Sequence, residues 1–584
     1  MEKGAEGNPL IKGALFPVNG QVEPHKFAAF DVETVISDSG DHVFMCGSIW
    51  DGEGHMFWSR IDMLKALMSK RYRNHNLFAT SLDFDFFTMF KADYALYDME
   101  FCFRGSSLIM ADVNDENGNM TRKFLDTMNF YPVGVDVLGK CIGMRKMQRP
   151  RSWLRMPADD DERHEMEAYN INDSRITYEW VKWFQGRLNS IGCNMRNTIA
   201  STSLWNWRRH YQDMPLYQPK ADIMLDMLQA YYGGRTECFA RGTYPGKRCY
   251  LYDVNAMYCW AMTNEFPLTH TIFESKNPTG DDILDYHGVT LCDVEAPSGQ
   301  NYPFLPYRRD DGRLIFPIGR WKSRWYSNIE LRRAMELGYS VTPRKGWYYT
   351  GSYMPFKALQ EDYFSKRKTQ PELQLVYKLL SNSLYGKFGQ RWEDETVYVH
   401  MSQFKNMPRE YLDIRNEFVL MKKHNEPRSF VNPIFSLYTS AYSRILIHRL
   451  ISCNNAMYCD TDSIITEKVL PDSGRLGELK LEKTLNKLML LRPKVYFMND
   501  DISGDKVKAK GFRLRTKEEL DFMLNNGYFP QLHIRKFKES LRLNVKTLTQ
   551  LTIKKHLDLN DTKRRWPRKF DPLGWDISEP LEVQ

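Results

Sequence analysis

Tyr458-Cys459-Asp460-Thr461-Asp462-Ser463 is the stretch of this 584-residue chain on which its fold turns. Apolar residues flank it from Ala456 to Ile465, so acid-Thr-acid reads as the tip of a tight hairpin between buried strands. Folding gains nothing from carboxylates crowded there, since each must give up water beside a like charge. A divalent cation resolves the conflict, and oxygen-only ligands suit Mg²⁺ or Mn²⁺.

Outward from this tip, a helix is expected over about 371–385, where Leu373, Tyr377, Leu380 and Leu384 share a stripe. On it Lys378 and Asn382 lie four apart, as do Ser381 and Tyr385, so each pair shares a face. A second helix is expected over about 165–184, with Ile176, Trp180 and Phe184 on its apolar side. Near the N-terminus, Phe30-Asp31-Val32-Glu33-Thr34 lies in a strand-like run, and residues two apart on a strand point the same way. Asp31 and Glu33 therefore present paired carboxylates that again ask for a cation. Asp85 stands among aromatics, a costly place for an acid unless it is paired or metal-bound; Asp83 is the competing choice. Tyr169 and Asp173 are four apart on the expected helix, where a phenol beside a metal-binding carboxylate can orient a water.

The composition, 42% hydrophobic and 26% charged, is that of an ordinary soluble globular protein. No apolar run is long enough to span a bilayer, and the start MEKGAEGNPLIKGALF lacks the apolar core of a secretory signal. The expectation is an intracellular, non-secreted protein without membrane contact, its compartment set by its host. The 10 cysteines are scattered with no CxxC pair, which argues against zinc-ribbon and iron–sulfur sites and for buried thiols in a reducing compartment. The net charge of +8 is mild, but residues 531–570 hold 12 Lys or Arg against 3 acids, densest at Lys563–Lys569. A basic stripe with interleaved aromatics suits a polyanion.

The hairpin motif resembles the YxDTDS motif of family B DNA polymerases. The order D-x-E at Asp31 and Glu33, the segment 81–85, then Y-x-x-x-D at 169–173 resembles the three exonuclease motifs of the proofreading members. That resemblance implies Asp31, Glu33, Asp85 and Asp173 as ligands of two metal ions and Tyr169 as the water-orienting residue. Ser81 stands where the family usually has Asn, a contact to the single-stranded primer end. Leu125-Asp126-Thr127-Met128 resembles the (S/T)Lxxh element, with Thr127 as a further contact to single-stranded DNA. Leu251–Tyr258 resembles DxxSLYP: Asp253 is implied as metal ligand with Asp462, Asp460 nearby, the Val254 carbonyl as a neutral ligand, and Tyr258 as the ring that blocks a 2′-hydroxyl. Ala256, Met257 and Cys259 replace the Ser, Leu and Pro of that pattern. Lys378–Gly386 resembles KxxxNSxYG, which implies Lys378 on the triphosphate and Asn382 and Tyr385 against base pair and sugar. Lys366-Arg367-Lys368 offers more phosphate ligands, Lys366 being the nominated one. Lys494-Val495-Tyr496 resembles KxY, a grip on the primer strand continued by Lys508 and Lys510; Thr461 is placed with the DNA contacts. Tyr231-Tyr232-Gly233-Gly234 resembles YxGG, in which Tyr231, Gly233 and Gly234 contact DNA.

The intervals from Asp253 to Asn382 and from Asn382 to Asp460 are both longer than in compact members, a pattern similar to the protein-primed branch. The implied fold class is α/β and α+β multidomain: an RNase H-like 3′→5′ exonuclease joined to a right-hand polymerase of palm, fingers and thumb. The boundaries are 1–190 for the exonuclease, 191–264 and 431–525 for the two parts of the palm, and 353–391 for the fingers. A terminal-protein-contacting insertion occupies 265–352, a strand-displacement and processivity insertion 392–430, and a basic thumb 526–584. Function is then DNA-directed DNA polymerase with proofreading, two Mg²⁺ (or Mn²⁺) per active site and dNTP substrates, in protein-primed replication of a linear genome. Partners are primer-template DNA, a terminal protein and a single-stranded DNA-binding protein, the chain itself being a monomer. With about 25 residues ahead of the exonuclease, a fused priming domain is not expected and the terminal protein would be separate. The alternatives are a 3′→5′ exonuclease, or a DNA-binding protein, with an inactive polymerase half.

Overall fold

The structure, a computed structural model, describes residues 8–91, 93, 97–115, 117–392, 395–401, 411–415, 418–423, 425–543 and 548–583. Its N-terminal part is a seven-stranded mixed sheet in the order Gly54–Phe57, His42–Trp50, Phe27–Ile36, His75–Ala79, Met120–Asp126, Ser107–Asn114, Met99–Arg104. The central strand Phe27–Ile36 is buried along most of its length because it is covered on both faces. One cover is the helix Asp160–Ser190, started by the Asp159 carboxylate, which accepts from the Glu162 amide. Ile176, Trp180 and Phe184 do form its inner stripe, all fully buried, with the two rings stacked 5.0 Å apart. Each such side chain contributes about 1.5–3 kcal/mol by leaving water, which fixes the helix face that holds Tyr169 and Asp173.

The middle of the chain builds a nine-stranded antiparallel sheet. Its main path runs Thr236–Cys238, Tyr458–Asp460, Ser463–Thr466, Cys249–Val254, Leu479–Arg492, Ala240–Thr243, Trp575–Ile577, with Val495–Asp500 and Gly504–Ala509 branching from Leu479–Arg492. The helix Pro433–Asn454 backs this sheet and is buried nearly all round. The helices Lys357–Thr369 and Gln374–Phe388 form a hairpin beside it, turned at Pro371–Leu373.

Residues 272–349 fold as a sheet of their own, Ile272–Ser275, Ser340–Tyr349, His287–Ala296, Ile318–Ser327, extended by the chain's last strand Glu582–Val583. Within 392–430, Glu395–His400, Phe418–Lys423 and Asp413–Arg415 make a three-stranded sheet, while 393–394, 402–410, 416–417 and 424 lie outside the described residues.

The C-terminal segment 526–584, expected as one unit, is divided. Tyr528–Ile534 and Gln550–His556 pair as a hairpin, but Trp575–Ile577 adds an edge strand to the central sheet. Packing explains the return: Trp575 lies edge-on to Tyr244 at 5.4 Å, and the Arg241 guanidinium covers Trp566 at 4.2 Å. The basic run Lys563–Lys569 is accordingly not a free stripe. Arg564 is 3% exposed and lies 3.8 Å from the buried Glu237 carboxylate, Lys563 Nζ donates to the Thr236 carbonyl, and Arg565 pairs with Glu579.

Candidate active sites

At the hairpin tip Asp460 faces Ser463, and the turn closes through Thr461, whose φ of 67° lies in the left-handed region. The Thr461 amide donates to the Arg235 carbonyl at 2.7 Å. Next to it, Asp253 is in register with Ser463, and the Val254 amide donates to the Asp462 carbonyl at 2.7 Å. Three strands thus set Asp253 beside Asp462, as the motif reading required. Burial first, then the Asp462 and Glu482 charges, push the Asp253 acid up to about 7 against the opposing pull of Lys480 and Lys378. Burial also raises Asp462. Asp460 behaves differently: burial raises it, yet Lys494 at 2.5 Å, Lys508 at 3.5 Å and the Thr236 hydroxyl at 3.1 Å outweigh that and hold it below its usual value. Asp253 and Asp462 are the under-neutralised pair; Asp460 is already paired.

Over this pair lie two rings. Tyr258 and Tyr385 stack at 4.5 Å and 8°. Gly234 passes so close below that a Cβ there would sit 2.8 Å from Thr461 Cγ2 and 3.3 Å from Tyr258 Oη, which is why a glycine is needed. Tyr231 is half-buried beside it and Gly233 faces open space. Lys378 and Asn382 present exposed side chains, and Asn382 Oδ1 accepts from the Cys259 thiol at 3.1 Å. Lys366 is placed elsewhere than expected: it pairs with Asp362 at 2.7 Å, on a carboxylate that also accepts from Tyr211. Arg367 is the member of its trio that turns inward, 3.9 Å from the Cys259 sulfur and with a buried Nε that has no partner among the described residues. Lys494, at φ 63°, and Tyr496, edge-on to Tyr458 at 5.5 Å, line the far side with Lys508; the Lys510 side chain is exposed there.

The second cluster sits on the N-terminal sheet. One oxygen each of Asp31, Glu33 and Asp173 lie within 4.8 Å of one another. Burial raises all three and Asp85 as well; the Asp31 charge adds to Asp85 and Glu33, and the Asp173 charge adds to Asp31 and Glu33. Asp85 Oδ2 and Asp173 Oδ1 are buried with no hydrogen-bond partner among the described residues. A buried anionic oxygen left bare is costly, so this donor set fits a hard divalent cation. Asp85 rather than Asp83 joins the cluster; burial raises Asp83 to about 6 behind it.

Three residues here escaped the sequence reading. Lys146 donates to Asp173 and lies over the Tyr169 ring at 4.8 Å. Asn170 donates to Asp31 Oδ2 at 2.7 Å. Arg149 covers Trp153 at 4.8 Å, and Trp153 meets Tyr169 edge-on at 5.8 Å. The available signal was the basic run Arg145–Arg155. One nomination fails: Thr127 is fully buried, its hydroxyl bonded to Thr80 at 2.9 Å, so its side chain cannot touch a DNA strand. Ser81 holds a left-handed φ of 75°, a conformation Asn accepts more readily than Ser, and its amide donates to Asp126.

Between the two sites runs a groove of about 600 Å³ lined by Lys123, Arg196, Arg208, Lys387, Arg428 and Phe430. Burial and then Arg428 push Lys387 below its usual value, and Lys387 lies 4.5 Å over Phe430. Cations that depress one another await an anion.

The architecture is that of a known class of polymerases. It superposes on phi29 DNA polymerase, solved with primer-template DNA, at TM-score 0.70 and 17% identity, covering 92% of this chain and 100% of that one. Residues 157–470 match the family model "DNA polymerase type B, organellar and viral", and the chain belongs to that family. It is 28% identical over 447 residues to a "Probable DNA polymerase" of Neurospora intermedia, covering 70% of this chain and 43% of that one. It is 24% identical over 437 residues to the DNA-directed DNA polymerase of Enterobacteria phage PRD1, covering 70% and 73%. The chain therefore spans less than half the length of the fungal relative. Among the described residues no helix is long and apolar enough to cross a membrane.

Proposed function

We propose that this chain is a DNA-directed DNA polymerase with a 3′→5′ exonuclease, acting in protein-primed replication. The observation that carries the reading is the pairing of Asp253 with Asp462 beneath the Tyr258–Tyr385 stack. Asp253, the Val254 carbonyl and Asp462 would hold the metals of synthesis; Asp31, Glu33, Asp85 and Asp173 those of proofreading. When bound, Mg²⁺ or Mn²⁺ supplies charge neutralisation for the attacking and leaving oxygens.

The remaining work falls to the chain itself. Lys378 and Arg367 meet the triphosphate of the incoming dNTP as charge builds on pyrophosphate. Tyr258 excludes a ribose 2′-hydroxyl, and Tyr385 and Asn382 pack against the nascent pair. Lys494, Tyr496, Lys508 and Lys510 hold the primer strand, with Thr461 and the 231–234 loop against the template. At the other site Tyr169 orients water and Lys146 keeps Asp173 ionised. The cationic groove carries the single-stranded template between them.

The sheet of 27–126 with its long helix serves as exonuclease, the nine-stranded sheet as palm, 353–391 as fingers, and 528–556 as thumb. The sheet of 272–349 is the surface for a terminal protein, and 392–430 the element for strand displacement. An inactive polymerase half is disfavoured by the assembled Asp253, Asp462 and Lys378. The test is extension of a primed single-stranded circle with Mg²⁺ and four dNTPs. Products longer than one circle are expected; primer degradation without any extension would establish the nuclease alternative instead.

A further inference from the structure

The two ends of the chain meet behind the N-terminal carboxylates. Asp41 and Thr549 form an antiparallel bridge, the His42 amide donates to the Leu548 carbonyl at 2.9 Å, and the Gln550 amide donates to the Gly40 carbonyl at 2.7 Å. Thr549 Oγ1 donates to Asp41 at 2.8 Å, and the Leu548 side chain is buried in the core of the N-terminal sheet. Gly40 has φ 81°, and a Cβ there would stand 2.5 Å from the Gln550 carbonyl oxygen. Residues 548–550 are thus a strap laid along the turn that follows the strand of Asp31 and Glu33.

The strap fixes the hairpin from which Lys536 reaches the same region. Lys536 Nζ donates to Ser107 Oγ at 2.5 Å, and its charge bears on two buried carboxylates, Asp83 and Asp126. Asp126 begins the helix Leu82–Phe90 by accepting from the amides of Ser81 at 3.2 Å and Leu82 at 3.0 Å. That helix carries Asp85. An Asp126 that lost its charge would release these amides, and the helix start would shift with its metal-facing acid.

We propose that Lys536 is a positioning residue of the exonuclease site, delivered by the 548–550 strap and acting through Asp126 and Asp83 on the helix that bears Asp85. The assignment rests on the exonuclease reading of the N-terminal cluster. A C-terminal hairpin thereby completes an N-terminal active site, and proofreading depends on that hairpin being docked.

The experiment uses the full chain and a labelled single-stranded oligonucleotide with Mg²⁺, comparing wild type, Lys536→Met, Lys536→Arg and Lys536→Met with Asp83→Asn. Lys536→Met is expected to lower kcat for 3′-end removal roughly 10-fold, the scale of a supporting contact behind a metal ligand. KM should hold within about 2-fold, since no substrate contact is lost. Lys536→Arg should restore most of kcat, and removing the Asp83 charge should restore part of it. Extension of a primed template at saturating DNA is expected to fall far less than degradation. A rise in KM with kcat intact would make Lys536 a strand contact and overturn the assignment; equal loss of both activities would reduce it to general stability. A wild type that extends but does not degrade would remove the exonuclease reading, and this assignment with it.

Discussion

The two carboxylate clusters solve the same electrostatic problem in opposite ways. The N-terminal one is neutralised from within: Lys146 touches Asp173, Asn170 touches Asp31, and the acids are sealed between a sheet and a long helix. The central one is braced from behind and left open in front. Asp253 and Asp462 have only longer-range help from Lys378 and Lys480, while cations that do make contact are spent on Asp460. Rigidity there comes from buried ion pairs beyond the site. Arg235 pairs with Glu237 under the hairpin at 2.6 Å. Arg444 pairs with Glu330 at 2.8 Å and donates to the Tyr232 and Gly233 carbonyls. A site that trims a bound strand end can be built closed; one that admits a new triphosphate each cycle must keep its cationic side vacant for it.

The largest effect should come from breaking the remote brace. Glu330→Gln leaves Arg444 buried without its anion, and is expected to cost about 3–5 kcal/mol of stability, read as a lower Tm and a lower denaturant midpoint. Synthesis should suffer more than degradation in the surviving fold, because Arg444 holds the 232–234 loop.

Breaking the internal brace comes next. Lys146→Met should lower the exonuclease rate by about 10²-fold with synthesis intact, the scale of losing one preorganised charge contact. Single-turnover digestion of a labelled oligonucleotide checks it.

Gly234→Ala should lower synthesis by roughly 10-fold through displacement of Thr461 and Tyr258, with the N-terminal site unaffected. Steady-state extension and digestion measured side by side decide whether the loop serves the central site alone.

The smallest effect is a pH dependence. The Asp253 acid is raised from 3.8 to about 7, so the metal-free fold binds that proton more tightly than the unfolded chain does. Its stability therefore falls as pH rises from about 4 through 7. Metal binding displaces the proton, so the Tm gained on adding Mn²⁺ should grow between pH 6 and 8, and Asp253→Asn should flatten that growth. Thermal melts across pH test it.

Both clusters were legible in the sequence because local rules place them. Strand alternation puts Asp31 with Glu33, helix spacing puts Tyr169 with Asp173, and a hairpin tip can present Asp462 in only one way. What stayed hidden depends on pairings across hundreds of residues. Nothing near Arg564 announces that Glu237 will bury it, and nothing near Thr127 announces Thr80. Lys146 was visible only as one charge in a basic run. The split of the C-terminal segment has the same cause: Trp575–Ile577 is short, and its strand partner Ala240–Thr243 is supplied from far upstream.

The most direct test of two separate centres in one chain is a reciprocal pair of variants on one labelled primer-template, with Mg²⁺ and with or without dNTPs. Asp462→Asn should abolish extension and leave digestion at the wild-type rate, while Asp173→Asn should abolish digestion and leave extension. Loss of both activities in either folded variant would contradict the account.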